Sequence, residues 1–286
     1  MFQRIVLITN SSGLPISDTL QSVTGLLRAR NISIVLDEFC ARYLPDSGYP
    51  LMRSGELLAD CDLAIVIGGD GTMLRAARLL ADYDIPLLGI NRGRLGFLAD
   101  IPEDSVVQHL ERILEGDYVE DHRFQLHCQV DRDEQTITQS DAFNDVVIQK
   151  WNIARLIELT TYVDQELLHS QRADGMIIAS PTGSTAYALS GGGPILHPSL
   201  DALVIVPICP HTLSNRPIVI DGNSLVEVIV GTPEIDHARL TCDGEITCEL
   251  ATGDKILIRK KNRRIRLIHP ADHNHFSILR AKLQWG

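Results

Sequence analysis

Positive charge is scarce in this sequence of 286 residues: 26 Lys and Arg stand against 37 Asp and Glu, for a formal net charge of −11. So acidic a chain is a poor non-specific binder of nucleic acid or of an anionic membrane, and neither is expected as a partner. Any anionic ligand must be held by a local site. No apolar stretch is long enough to span a bilayer. The opening Met1-Phe2-Gln3-Arg4-Ile5 lacks the positive n-region and h-region of a signal peptide. Six cysteines, Cys40, Cys61, Cys128, Cys209, Cys242 and Cys248, form no C-x-x-C pair and follow no regular spacing. Free, mostly core thiols in a cytoplasmic protein are expected. Two nucleotide signatures are also missing. Without G-x-x-x-x-G-K-[ST] the chain is no P-loop enzyme, and without G-x-G-x-x-G after its first strand a hydride-transferring dinucleotide enzyme is disfavoured.

What is present suits one large or two ordinary domains, with 44% hydrophobic residues to build cores. The first part alternates strand-like and helix-like segments. Ile5 to Thr9, Ile32 to Leu36, Leu63 to Ile67 and Ile85 to Ile90 read as strands. Asp18 to Arg30, Thr72 to Ala81 and Pro102 to Leu114 read as helices. Leu63 to Ile67 is apolar throughout, as a strand buried on both faces of a parallel sheet must be. The order predicts an α/β N-terminal domain with an open parallel sheet over residues 1–118. After Gly116-Asp117 the pattern changes to alternation: Leu126 to Val130, Ala154 to Val163, Leu225 to Val230, Ala238 to Cys242, Lys255 to Ile258 and Ile265 to Ile268. Turn signals at Asp221-Gly222-Asn223, Asp243-Gly244 and Thr252-Gly253-Asp254 separate several of them. A C-terminal β-rich, antiparallel domain over 119–270 follows. The remaining 271–286, with Phe276, Leu279 and Leu283 at helical spacing up to Trp285, is too small to fold alone and is expected to dock on the N-terminal domain.

Three stretches carry chemistry. In Ile65-Val66-Ile67-Gly68-Gly69-Asp70-Gly71-Thr72 a buried strand ends in glycines where a helix begins. Ligands of open α/β sheets bind at the carboxyl ends of strands, glycines admit close backbone approach, and a helix N-terminus offers free N–H groups to phosphate. A carboxylate beside a phosphate is costly unless it holds a metal, accepts a proton or binds a hydroxyl. The plainer alternative is Asp70 as a helix cap. The second stretch, Asp174 to Ser190 around Thr182-Gly183-Ser184-Thr185-Ala186-Tyr187, offers small hydroxyls, glycines and an aromatic face for a base; the alternative is a capped helix with a glycine hinge. The third, Phe143-Asn144-Asp145, sets an amide and a carboxylate before a β run, which an Asx turn also explains.

Together these stretches resemble the NAD kinase family. The likeness runs in order from Gly68 through Asn144-Asp145 and the Thr182 to Tyr187 segment to Pro210-His211-Thr212-Leu213-Ser214-Asn215-Arg216-Pro217 and Asp243-Gly244. The first loop alone is shared with lipid and sugar kinases, whereas the later segments are specific to this family. The resemblance implies ATP- and divalent-cation-dependent phosphorylation of the adenosine-ribose 2′-hydroxyl of NAD, with Mg²⁺ as the expected cation, ATP as donor and a homodimer or homotetramer as the assembly. It implies Asp70 as general base, with Gly68, Gly69 and Thr72, together with Gly71 on the NAD side, close to phosphates. Arg75, one helical turn on, is a further phosphate candidate. Asn144 and Asp145 match a pair that binds ribose or nicotinamide groups, and Asp174 a nicotinamide-side contact. Thr185, Ala186, Tyr187 and Ser190 match adenine and ribose contacts. Arg155 and Arg172 match basic positions near the dinucleotide, and Phe97 an aromatic wall. Glu245 stands where many members carry Gln. A lipid or sugar kinase using the same loop, and a non-catalytic dinucleotide sensor, are the alternative functions. His269, His273 and His275 match no metal-ligand motif and are expected in a solvated polar segment.

Overall fold

The structure, a computed structural model, describes residues 2–10, 16–52, 58–93, 95–151, 156–212, 216–231 and 238–285. The chain divides into two compact units, Met1–His122 with Ile265–Gly286, and Arg123–Arg264.

The first unit is built on a parallel sheet. Strands β1 (Arg4–Ile8), β2 (Ser33–Leu36), β3 (Leu63–Gly68) and β4 (Leu87–Asn91) lie in the order β2-β1-β3-β4, with β1 between β2 and β3 and Leu7 opposite both Leu36 and Ile65. The short β5 (Ile101–Pro102) and residues Leu267–Ile268 also pair with β4, again in parallel. Helices α1 (Ser17–Ala29), α2 (Glu38–Tyr43), α3 (Asp70–Leu79) and α4 (Val106–Leu114) cover it. Leu20, Val23 and Leu27 of α1 and Leu110 and Ile113 of α4 pack with Ile5, Leu7, Ile65, Ile67 and Ile90 in one core. Met73, Ala76 and Ala77 of α3 are buried beside β3 and β4. A strand covered on both faces has no polar side, which is why Leu63 to Ile67 reads as unbroken apolar sequence. Three local features depart from the sequence expectation. Helix α3 starts at Asp70 rather than Thr72, because the carbonyl of Gly69 already accepts the N–H groups of Thr72 and Met73. Pro102 closes β5, and Glu103–Ser105 forms a 3-10 turn before α4 begins at Val106. Helix α2 is additional; the buried Asp37 caps it by accepting the Cys40 N–H at 2.7 Å. The tail forms a helix over His275–Leu283, capped by Asn274 at the Ser277 N–H.

The second unit is antiparallel. Strand β6 (Tyr118–Arg132) enters it at Arg123 and forms a hairpin with β7 (Gln135–Ala142). Strands β8 (Asp145–Lys150), β9 (Ile157–Val163), β10 (Glu166–Ala173) and β11 (Gly175–Ala179) follow. After them come a 3-10 turn at Gly183–Thr185, the one-turn helix α5 (Tyr187–Ser190), and strands β12 (Ala202–Ile208), β13 (Ile218–Asp221), β14 (Val226–Gly231), β15 (Ala238–Cys242), β16 (Glu245–Leu250) and β17 (Lys255–Pro270). One layer runs β13-β12-β11-β8-β15-β16; β9, β10, β14 and the start of β17 belong to the other. Between them sit Val146, Ile148, Met176, Ile178, Leu240, Leu159, Val228 and Ile256. The opposite faces of β8, β11 and β12 are buried too: Val147, Ile177, Ala179, Val204 and Val206 pack with Ala188 and Leu196 from the segment after β11. That segment, singled out above for its hydroxyls and glycines, is therefore fixed to the sheet by its own apolar residues.

Candidate active site

In the first unit the Gly68 to Thr72 loop lies where an open sheet binds ligands, at the carboxyl end of β3. Gly69 is extended, at φ −96° and ψ −170°, so the chain turns directly from strand into helix. The first N–H groups of α3 have no partner within the helix. A methyl group added to Gly69 or Gly71 would meet no atom within 4 Å. Packing therefore does not demand glycine at either position, and the space beside them is open to a ligand. Thr72 is different. Its side chain is buried against Gly68, on the inner side of the loop.

The Asp70 carboxylate does not cap its own helix. It reaches a second loop, between β4 and β5, and accepts three backbone N–H bonds: Oδ2 from Phe97 at 2.8 Å, and Oδ1 from Leu98 at 3.0 Å and Ala99 at 3.3 Å. Gly96 makes the approach possible, since a Cβ there would sit 2.1 Å from Oδ1. Phe97 is half-buried and lies under the Lys282 ammonium, 5.4 Å from the ring centroid. Arg75 is placed elsewhere. Its guanidinium donates to the Thr9 carbonyl at 2.9 Å and to Asp37 at 3.2 Å, stands over the Phe39 ring, and borders a cavity of about 520 Å³. Asn91, at the carboxyl end of β4, is a site candidate that sequence reading missed; its buried side-chain oxygen has no partner among the described residues.

The three C-terminal histidines are not a uniformly solvated segment. His269 is buried, and the Nδ1 atoms of His269 and His273 both contact Oδ2 of the half-buried Asp100, at 2.9 and 2.7 Å. Burial works against the charged form of Asp100, but the hydrogen bonds from the two histidines outweigh it and hold the carboxyl at about 2. The carboxylate only accepts, so each Nδ1 carries the proton. Among the described residues this is the one His and carboxylate group with metal-ligand proximity. Its spacing is nevertheless that of hydrogen bonds. Bonds of 2.0–2.1 Å to a tetrahedral ion set ligand atoms about 3.3 Å apart.

In the second unit, Asn144, Asp145, Ala186 and Tyr187 line one cavity of about 430 Å³, together with Arg239 and Asp243. Asp243 organises it. Its carboxylate accepts the N–H groups of Phe143 at 2.9 Å, Asn144 at 2.7 Å and Asp145 at 3.3 Å, from the Asp243-Gly244 hairpin turn between β15 and β16. The Asn144 carbonyl accepts from Ser180 N, and Gly183 lies so close that a Cβ would be 2.1 Å from that carbonyl oxygen. Burial pushes the Asp145 carboxyl up and the Asp243 charge pushes it further, to about 7. Tyr187 is exposed, and Arg239 stacks on the exposed Trp151 at 4.2 Å. Thr185 donates to the Thr182 carbonyl, and Ser190 ends α5 at the surface. Other expected residues stand apart from this cavity. Arg172 pairs with Glu158 on the exposed face of β10, Asp174 pairs with Lys150 at 2.5 Å, and exposed Glu245 opens β16 without lining the cavity. The exposed His211 donates its N–H to the Arg172 carbonyl. Arg155 lies outside the described residues.

Residues 54–118 match the family model for the ATP-NAD kinase N-terminal domain, and residues 143–270 that for the ATP-NAD kinase C-terminal domain. The chain is 46% identical over 285 residues to the NAD kinase of Pseudomonas putida, covering all of this chain and 96% of that protein. It is equally 46% identical over 285 residues to the NAD kinase of Nitrosococcus oceani, covering 97% of it. The fold matches yeast NADH kinase, solved with NADH, with a TM-score of 0.90 at 23% identity over 99% of this chain and 88% of that one. It matches the Archaeoglobus fulgidus NAD kinase, solved with ATP, with a TM-score of 0.76 at 23% identity over 98% and 99%. With both family models matched in order and relatives similar along its whole length, the chain belongs to the NAD kinase family.

Proposed function

We propose that this chain is an NAD kinase, a phosphotransferase that makes NADP from NAD with ATP as donor, and that Asp70 takes the proton of the 2′-hydroxyl. The observation that carries this reading is the capture of the Asp70 carboxylate beside open space at Gly69 and Gly71. A carboxylate has about four acceptor positions. Three are filled by Phe97, Leu98 and Ala99, and the one left, on Oδ2, is fixed in direction for an incoming hydroxyl. As that proton moves to Oδ2, the ribose oxygen forms its bond to the γ-phosphorus, the bond to the β,γ-bridging oxygen breaks, and ADP leaves. The proton then passes from Asp70 to solvent. The N–H groups at the start of α3 face developing negative charge on the phosphoryl oxygens.

Asn144, Asp145, Ala186 and Tyr187 are assigned to the dinucleotide, with Tyr187 as a stacking face. Near neutral pH Asp145 donates as well as accepts hydrogen bonds. Thr185 and Ser190 next to them, Asp174, Arg155, Arg172 and Glu245 remain proposed contacts. Gly68, Gly69, Gly71, Thr72 and Arg75 remain proposed for the phosphate side. The donors around the loop do not suit a resident magnesium site, which calls for several oxygen ligands, because Asp70 is the only carboxylate in Gly68 to Thr72. Mg²⁺ is therefore proposed to arrive on the ATP phosphates. A homodimer or homotetramer is proposed because Tyr187, Trp151 and Ile246 are exposed in the same unit. A cytoplasmic location is proposed because all six cysteines are free. No described helix is long and apolar enough to cross a membrane.

The test is NADP formation from NAD, ATP and Mg²⁺, with the Asp70→Asn variant in parallel. Asp70→Asn should lose about 10²-fold or more in kcat and still bind NAD by calorimetry. A chain that phosphorylates a lipid or sugar and not NAD defeats the reading, and so does an Asp70→Asn variant with full activity.

A further inference from the structure

The loop that holds Asp70 belongs to no helix or strand, and β5 starts only at Ile101. Its last residue before that strand, Asp100, is gripped by His269 and His273 from the C-terminal tail. The grip is itself anchored. Leu267 and Ile268 pair with β4, and the His273 N–H closes a turn onto the Pro270 carbonyl. The same tail sends Lys282 over the Phe97 ring, at the other end of the loop. The hydrogen bonds stabilise the ionised Asp100, but the arrangement also carries a cost. Oδ1 of Asp100 and Nε2 of His269 are buried with no partner among the described residues, and unpaired buried polar atoms are costly. Leu or Phe side chains would fill the space without that cost, but they would not fix the direction of the chain at Asp100.

We propose that His269 and His273 are positioning residues for catalysis: through Asp100 they hold the Phe97 to Ala99 N–H groups at the height and angle that orient the Asp70 carboxylate. The proposal rests on Asp70 being the proton acceptor. The route is short and covalent at its middle. Each histidine Nδ1–H fixes Asp100, Asp100 is bonded to Ala99, and Ala99 and its two predecessors donate to Asp70. Loosening the grip moves the carboxylate, whereas the Asn144 and Tyr187 cavity, in the second unit, keeps its residues. The loss should therefore fall on kcat.

The experiment uses the full chain with His273→Ala, His269→Ala, His273→Asn and His269→Asn. Asn places an N–H donor near the position of Nδ1, so it keeps the bond to Asp100 that Ala removes. Val23→Ala, in the core of α1, serves as a control that lowers the melting temperature without touching the loop. Steady-state kinetics are read well below each melting point. The alanine variants should lose about 10- to 100-fold in kcat, as a displaced catalytic group does, with KM for NAD and ATP within about twofold. The asparagine variants should recover most of the loss, and Val23→Ala should keep its kcat. The positioning role is overturned if His273→Ala and His269→Ala keep wild-type kcat, if asparagine rescues neither, or if Val23→Ala loses kcat in proportion to its melting temperature as they do. It is overturned as well if about one transition-metal ion per chain co-purifies and is lost with the histidines, which would make them ligands. Asp70→Asn is assayed alongside. If it stays active the reading of Asp70 itself has failed. If it is inactive while the histidine variants are normal, only the positioning role has.

Discussion

Gly96→Ala isolates the geometry of the Asp70 carboxylate from the stability of the protein. A Cβ on residue 96 would lie 2.1 Å from Oδ1 of Asp70, 2.9 Å from its Cγ and 3.2 Å from the Ala99 carbonyl oxygen. A methyl carbon and an oxygen need about 3.2 Å or more, so roughly 1 Å must be found. Gly96 does not have a left-handed φ, so alanine brings no backbone strain of its own. The part that yields is the Asp70 side chain, which is free to swing outward once its bonds to Phe97, Leu98 and Ala99 are given up. In stability the cost is confined to those exchanged hydrogen bonds, about 1–2 kcal/mol. In catalysis a displacement of about 1 Å costs about 100-fold, or ~2.7 kcal/mol of transition-state stabilisation. The assay is initial-rate NADP formation with NAD and ATP varied independently, beside a thermal melt. Gly96→Ala should lower kcat about 100-fold, leave KM for NAD within about twofold, and shift the melting temperature by only a few degrees. A variant with wild-type kcat would refute the reasoning, because it would mean that the carboxylate works from somewhere other than the N–H cradle.

Three further outcomes follow from the two sites. The Asp145 carboxyl, raised to about 7 in the fold, binds its proton more tightly there than in the unfolded chain, whose value is about 4. Its contribution to stability is therefore complete below about pH 4 and is lost as the pH rises toward about 7. Asp145→Asn should match the parent melting temperature at the acid end and exceed it near pH 8; a difference independent of pH would contradict the shift. Asp243→Ala removes the acceptor of the Phe143, Asn144 and Asp145 N–H groups, and should cost about 2–3 kcal/mol in denaturant melts and raise KM for NAD about tenfold. An unchanged melt would show that those bonds do not form. Gly71→Ala places a methyl group in open space, so it should leave the melting temperature unchanged while raising a substrate KM about tenfold through lost backbone approach; wild-type kinetics would argue that no substrate comes near.

What could be read from sequence was what local periodicity and turn chemistry record. The all-apolar β3, the glycines after it and the alternating strands of the second unit announce themselves because each residue's face is fixed by its neighbours in the chain. Strands β7 and β10 did not. They are largely polar or half-exposed, and the turns that lead into them, Asp133-Glu134 and Asp164-Gln165, take left-handed φ values without a glycine to mark them. The candidate sites split in the same way. The residue types at Asp70, Asn144, Asp145 and Tyr187 were visible as motifs. The groups that aim them were not, because most of those groups are backbone N–H donors, and a backbone N–H looks the same in almost every residue. Asp70 meets its donors 27 to 29 residues later, and Asp243 meets Asn144 across 99 residues. Only the acceptor in each pair has a distinctive side chain, so a sequence shows a lone carboxylate where the fold has a carboxylate with its direction fixed. The same logic explains why the C-terminal histidines looked solvated. Their partner Asp100 is 169 residues from His269, and no spacing rule joins an acid in one loop to two imidazoles at the far end of the chain. Residues that react leave a local signature in this protein, whereas residues that orient them are recognised only once the chain has closed on itself.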